Sequence, residues 1–229
     1  MTASPLPGLG ARRLVLWRHG RTSWNAAGRF QGQLDPPLDA EGHREAAVAA
    51  AQLVASGMLS SHTVVVSSDL DRTVRTAEVL TGLLGVQLRV DARLREHGMG
   101  SWEGLTREEV AERFPQQYAD WISGRPVTGR GGEAPDAVAE RALDALGDLP
   151  ATEVVVVVTH GGTAGRLLER LLGLGPDHRR VLGGLENCAW SEVAEQGGRW
   201  RLLRHNIRAV AVPDGQVDVA LPTDGDAVL

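Results

Sequence analysis

Lysine is absent from this chain of 229 residues, and all 24 of its basic residues are arginine. Schiff-base chemistry on a lysine amine and a phosphate-loop lysine are therefore excluded. A GC-rich genome favours arginine, alanine and glycine codons throughout a chain, so arginine abundance carries no information and only arginine placement does. Cysteine occurs once, at Cys188. An internal disulfide and a cysteine-based metal site are thereby excluded, and a small buried residue is expected there. No apolar run approaches the roughly 20 residues that a bilayer-spanning helix needs. The opening "MTASPLPGLGARR" also has no apolar stretch of secretory type. A cytoplasmic protein with no membrane partner is expected. A basic surplus is missing too: the formal net charge is -5, which argues against a nucleic-acid partner.

The 42% apolar and 23% charged composition is that of a globular protein, and one domain over residues 13–211 is expected. It would carry a short extension at 1–12 and a mobile tail at 212–229, with a weak strand in "QVDVAL" as the alternative for part of that tail. "RLVLW" (13–17), "HTVVVSS" (62–68), "VQLRV" (86–90) and "EVVVVVTH" (153–160) read as strands. Between them, helical periodicity runs through 42–56, 70–84 and 136–147. This alternation predicts an α/β fold, a three-layer α/β/α sandwich around a mainly parallel sheet. Residues 188–206 read as a hairpin turning at Gly197 and Gly198. Residues 96–135, with short helical segments in "TREEVAERF" and "QQYADWI", read as an insertion above the carboxyl edge of the sheet that shapes a substrate site.

Two strands end alike. The first delivers Arg18-His19-Gly20 and the fourth Thr159-His160-Gly161-Gly162, at the edge where open parallel sheets bind ligands. Glycine after each histidine would allow close approach of backbone and ligand, and a helix beginning at once after His160 would aim free N–H groups at an anion. Arg18, and Arg72 at the start of the helix after the second strand, would add guanidinium forks suited to phosphate oxygens. Arg75 reads as a solvated helix residue, and His43, His178 and His205 as structural or exposed. Trp24, Trp102, Trp121 and Trp190 read as packing, with stacking on a sugar ring as the alternative.

Taken in order, "LWRHGRTSWN", "SSDLDRTVRTAE", "LREHGMGSWEG" and "THGG" resemble the histidine phosphatase, or phosphoglycerate mutase-like, superfamily over residues 13–193. The resemblance implies a phosphomonoesterase working through phosphohistidine, with His19 as nucleophile. Arg18, Arg72 and His160 would hold the phosphoryl oxygens, and Glu96 would be the proton donor. Thr22, Asn25, Gln31 and Gly161 would contact substrate. It implies neither cofactor nor metal, a small phosphate ester as partner and a homodimer. Guanidinium groups beside His19 would keep it neutral for attack, and a phosphate dianion beside Glu96 would favour the protonated acid.

"GMGSWEGLTREEV" resembles the phosphatase branch rather than the cofactor-dependent mutases. The wider pattern, "GRFQGQLDPPLDAEG", "RGGEAPDAVAER" and "LGGLENCAW" included, resembles actinobacterial glucosyl-3-phosphoglycerate phosphatases. In the proton-donor loop, Gly98 stands where that pattern has a polar residue or histidine, and His97 is shifted from it by one. Broad-specificity or α-ribazole-type phosphatase, phosphoglycerate mutase and a non-catalytic anion binder are the alternatives. A metal hydrolase on His19, His160 and Glu96 is disfavoured because two arginines would repel the cation.

Overall fold

The computed structural model describes residues 8–175, 178 and 181–210. The expected tail at 212–229 lies outside them, as does most of the expected extension at 1–12. Six strands form one sheet in the order β3-β2-β4-β1-β5-β6. They are β1 (Ala11–Arg18), β2 (Val64–Ser67), β3 (Leu88–Val90), β4 (Thr152–Thr159), β5 (Trp190–Gln196) and β6 (Arg199–Ile207). The first four run parallel. The hairpin β5–β6 is antiparallel and extends the sheet beyond β1, turning at Gly197 and Gly198, both with positive φ. The sheet is therefore mixed, with a parallel majority, and β1 already begins at Ala11.

Alternation along β1 separates the two faces. Val15 and Trp17 pack with Ala46, Ala49, Ala50 and Leu53 of α2 (Ala40–Ala55) and with Ala77 and Leu80 of α3 (Asp71–Leu84). Leu14 and Leu16 pack instead with Ala142 and Leu146 of α6 (Pro135–Gly147) and with Leu167 and Leu168 of α7 (Gly161–Leu171). Strands buried on both faces can be apolar at every position, as "VVVVV" in β4 is. The helix after β1 thus lies on one face of the sheet and the helix after the adjacent β4 on the other. A crevice opens at their carboxyl ends, where such sheets bind ligands.

The sequence also writes the helix ends. Asp39 caps α2 by accepting from the Gly42 N–H, and Pro135 opens α6 at a position where no backbone donor is needed. α1 (Ser23–Ala26) is a single turn held by a capping box between Thr22 and Asn25. Residues 96–134 form no layer of their own. They carry α4 (Arg107–Arg113) and α5 (Pro115–Ile122), clustered around Phe30, Trp102 and Trp121. Among the described residues no helix is long and apolar enough to cross a membrane.

Candidate active site

Register brings the two histidines together. Arg18 pairs with Thr159 at the last rung between β1 and β4, so the next residues, His19 and His160, leave the sheet side by side. Their ring centroids are 5.2 Å apart in an edge-to-face arrangement. The N–H of His19 still donates to the Thr159 carbonyl at 3.0 Å. Its carbonyl accepts from the Cys188 N–H and from Asn187 Nδ2. The loop before β5 thus fastens the strand end, a role for Asn187 that spacing alone gave no means to see.

Nδ1 of His19 lies 2.7 Å from the Gly20 carbonyl. A carbonyl only accepts, so Nδ1 carries the proton and a neutral ring keeps its lone pair on Nε2. Burial, then Arg72, then Arg18 hold His19 well below the usual imidazole range. His160 is shifted the same way, by burial first and then by Arg72 and His19.

Arg72 is fully buried at the start of α3, donating through Nη1 and Nη2 to the carbonyls of Leu34 and Gly32, with Asp35 Oδ1 at 3.2 Å. Arg18 Nη1 donates to the Leu185 carbonyl at 2.7 Å. Burial pushes both guanidinium groups downward, yet an arginine stays charged. Among the described residues, the buried side-chain polar atoms with no partner are Arg18 Nε, Arg72 Nε, two nitrogens of Arg130 and both ring nitrogens of His160. Burying such groups unpaired is costly, and those of Arg18, Arg72 and His160, near enough that both arginines hold the His160 ring below its usual range, mark a candidate anion site.

Glu96 occupies the place where the sequence suggested a bound anion. Its carboxylate accepts from the N–H groups of Gly162 and Thr163, at the start of α7, and from the His97 N–H at 2.7 Å. The helix N-terminus therefore serves the protein's own acid. Gly162 is required by that contact, since a Cβ there would lie 2.5 Å from Glu96 Oε1. Gly20 serves a different purpose from the expected ligand approach. A Cβ on it would lie 2.4 Å from the Gly42 carbonyl oxygen, so β1's exit and α2 meet backbone to backbone.

A cleft of about 940 Å³ is lined by Arg18, His19, Asn25, Gln31, Arg72, Glu96 and Gly161, among others. Thr22, expected at the substrate, is instead fully buried: it caps α1, and its hydroxyl also lies within hydrogen-bond distance of Gln31 Oε1. Asn25 Oδ1 is engaged by Thr22 and by Asn187 Nδ2. Of the four tryptophans considered for stacking, Trp102 and Trp190 are buried, and Trp121 lines the cleft. Arg75 sits on the exposed face of α3, paired with Asp71 and Glu78. Cys188 is buried, as expected. His205 is tied to Ser191 and the Gly183 carbonyl, and His43 is exposed. Among the described residues no group of three or more His, Cys, Asp and Glu is placed to hold a metal ion.

Two arginines at the ends of "RGGEAPDAVAER", neither of them a predicted site residue, support the site. Arg141 of α6 donates to the carbonyls of Arg93, Arg95 and Glu96 and pairs with Glu133, fastening the loop that carries Glu96. Arg130 enters the cleft from the insertion, its guanidinium 5.1 Å from the centre of the Trp102 ring.

Comparison with known proteins gives the same picture. The chain is 39% identical over 224 residues to a glucosyl-3-phosphoglycerate phosphatase of Mycolicibacterium vanbaalenii, covering 89% of this chain and 98% of that one. It is 37% identical to a probable phosphoglycerate mutase, GpmB, of Yersinia enterocolitica, over 82% of this chain and 87% of the other. Among solved structures, mycobacterial glucosyl-3-phosphoglycerate phosphatase in complex with VO3 superposes with a TM-score of 0.77 at 37% identity, covering 85% of this chain and 98% of that one. The α/β sandwich is accordingly the phosphoglycerate mutase-like fold. The family model for the histidine phosphatase superfamily, branch 1, matches residues 14–208, which include the paired histidines, the arginines and the acid, and the chain belongs to that superfamily.

Proposed function

We propose that the chain is a phosphoric monoester hydrolase that transfers the phosphoryl group to His19 and then to water, with no metal, on a small phosphorylated metabolite of the glucosyl-3-phosphoglycerate type. The observation that carries this reading is the set of buried, unpartnered nitrogens of Arg18, Arg72 and His160, next to a histidine whose Nδ1 is bonded to Gly20 and whose Nε2 holds the lone pair. Nε2 attacks phosphorus and forms the P–N bond while the ester P–O bond breaks, and Glu96, entering as the acid, gives its proton to the departing alkoxide. Water then attacks phosphorus, giving its proton to Glu96, and the P–N bond breaks to release inorganic phosphate. Charge on the equatorial oxygens is met by fixed N–H donors of Arg18, Arg72 and His160 in a buried site, where such donors act most strongly. Arginine supplies there what a metal ion supplies elsewhere.

The substrate assignment rests on the likeness to glucosyl-3-phosphoglycerate phosphatase, which spans 98% of that relative. The cleft volume of about 940 Å³ supports it, being far more than a phosphate alone needs. The resemblance to a probable phosphoglycerate mutase supports a second reading, in which the phosphoryl group returns to an organic acceptor. The test is phosphate release from glucosyl-3-phosphoglycerate, 3-phosphoglycerate and sugar phosphates in chelator-treated buffer, with isomerisation of 3-phosphoglycerate followed in parallel. Release of phosphate that is fastest on the glucosylated ester is expected. Isomerisation without release would establish the mutase reading instead.

A further inference from the structure

Among the described residues, seven arginines line the cleft against two carboxylates, Glu96 and Glu133. Arg29, Arg72, Arg125 and Arg166 each have a carboxylate partner, in Glu109, Asp35, Asp120 and Glu169. Arg18 belongs to the reacting centre, and Arg107 lies at the surface over Trp121. Arg130 differs from all of these. It is only 7% exposed, and its Nε and Nη1 are buried without a partner.

Its third nitrogen is no better served. Nη2 lies 3.2 Å from His97 Nε2, but that Nε2 is also 2.9 Å from the Glu133 carbonyl. A carbonyl cannot donate, so the His97 Nε2–H points to it and leaves no lone pair for Arg130. Among the described residues no carboxylate lies within ion-pair distance of this guanidinium; it rests on the face of Trp102, which fixes it without neutralising it. A buried charge with unpartnered donors, held rigidly in a ligand cleft, points to an anionic group of the ligand.

Its neighbour in the cleft says which part of the ligand. Arg130 touches His97, the residue after Glu96, so it stands on the side of the acid that receives the leaving alkoxide, where the organic half of the ester sits. The single charge of one arginine matches a monoanion, whereas the phosphoryl dianion is met by Arg18, Arg72 and His160 together. We infer that Arg130 binds a carboxylate on the organic half of the substrate, a few bonds from the ester oxygen, and thereby selects phosphorylated carboxylic acids over neutral sugar and polyol phosphates. This deepens the phosphatase reading and rests on it.

The experiment is a cycle between protein and ligand. Wild type, Arg130→Met and Arg130→Lys are assayed on 3-phosphoglycerate, on its carboxamide, on glycerol 3-phosphate and on p-nitrophenyl phosphate. In the wild type, replacing the carboxylate by the amide should cost tenfold or more in kcat/KM, mainly through KM. Arg130→Met should show the same loss on 3-phosphoglycerate, a change of less than threefold on the other three, and partial recovery in Arg130→Lys. Equal losses on all four esters would make Arg130 structural. No preference of the wild type for acid over amide would overturn the inference without any variant, including the case in which Arg130→Met fails to fold. If the wild type left even p-nitrophenyl phosphate intact, the phosphatase reading itself would fall.

Discussion

At the scale of single residues, the site's chemistry is set by which groups are kept uncharged. His19 and His160 are both held well below the ordinary imidazole range by burial and by Arg72. In the unfolded chain they take up protons near pH 6.5, while in the folded chain they do so only at lower pH. Between those limits the unfolded state binds more protons, so stability rises with pH and is lost as pH falls below about 6.5. Thermal melting should therefore drop from pH 7 to pH 5. His160→Gln, at a position with no hydrogen-bond partner on either ring nitrogen, should flatten that drop by up to about 1.4 kcal/mol per pH unit. An unchanged slope in the variant would show that the ring is protonated in the fold.

Glu96 offers a second test at this scale. A Cβ on residue 162 would lie 2.5 Å from Glu96 Oε1, so Gly162→Ala must push the carboxylate off the α7 terminus. Hydrolysis of alkyl phosphates, whose leaving group needs a proton, should fall at least tenfold more than hydrolysis of p-nitrophenyl phosphate. Equal losses on both would remove Glu96 from the role of acid.

At the scale of elements, the site depends on how strand ends and helix starts are joined. The contact between Gly20 and Gly42 is backbone against backbone, with 2.4 Å from an added Cβ to the facing oxygen. Neither side can yield, and Gly20→Ala should cost about 3 kcal/mol, the upper end of overpacking effects. Urea denaturation would measure it. Arg141 joins α6 to the loop before Glu96 through three carbonyls and Glu133. Arg141→Met should lose roughly 2–3 kcal/mol and lower kcat on alkyl esters, since the loop carrying the acid loses its fastening.

Much at this scale was legible from sequence. The periodicity through 42–56 marks the helix that follows Asp39, and five consecutive valines mark β4. The matched endings of β1 and β4 put both histidines at the same edge of the sheet, as the strand register does. Hydrogen-bond destinations were not legible, because they join residues far apart in the chain. The N–H groups after His160 serve Glu96, and Arg130 and Arg141, at the two ends of "RGGEAPDAVAER", reach the cleft and the Glu96 loop through contacts that this stretch does not announce.

At the scale of the whole molecule, charge is distributed against its own average. The chain carries a formal net charge of -5, yet among the described residues its cleft gathers seven arginines and two carboxylates. If the net charge governed encounter, a dianionic ester would be repelled and added salt would speed association. If the local field governs it, salt should slow association. A fall in kcat/KM for a dianionic ester between 20 and 200 mM sodium chloride is the expected outcome, and a rise would mean that the cleft's field does not reach the approaching substrate.

All of this converges on His19 Nε2 as the atom that accepts the phosphoryl group. The most direct measurement is rapid quenching of the enzyme with a 32P-labelled ester, followed by identification of the labelled residue. The account predicts an acid-labile, base-stable phosphoenzyme carrying phosphate on Nε2 of His19, formed and lost fast enough to lie on the pathway and absent from His19→Ala, which remains folded and inactive. Label on any other residue, or full turnover by His19→Ala, would contradict it.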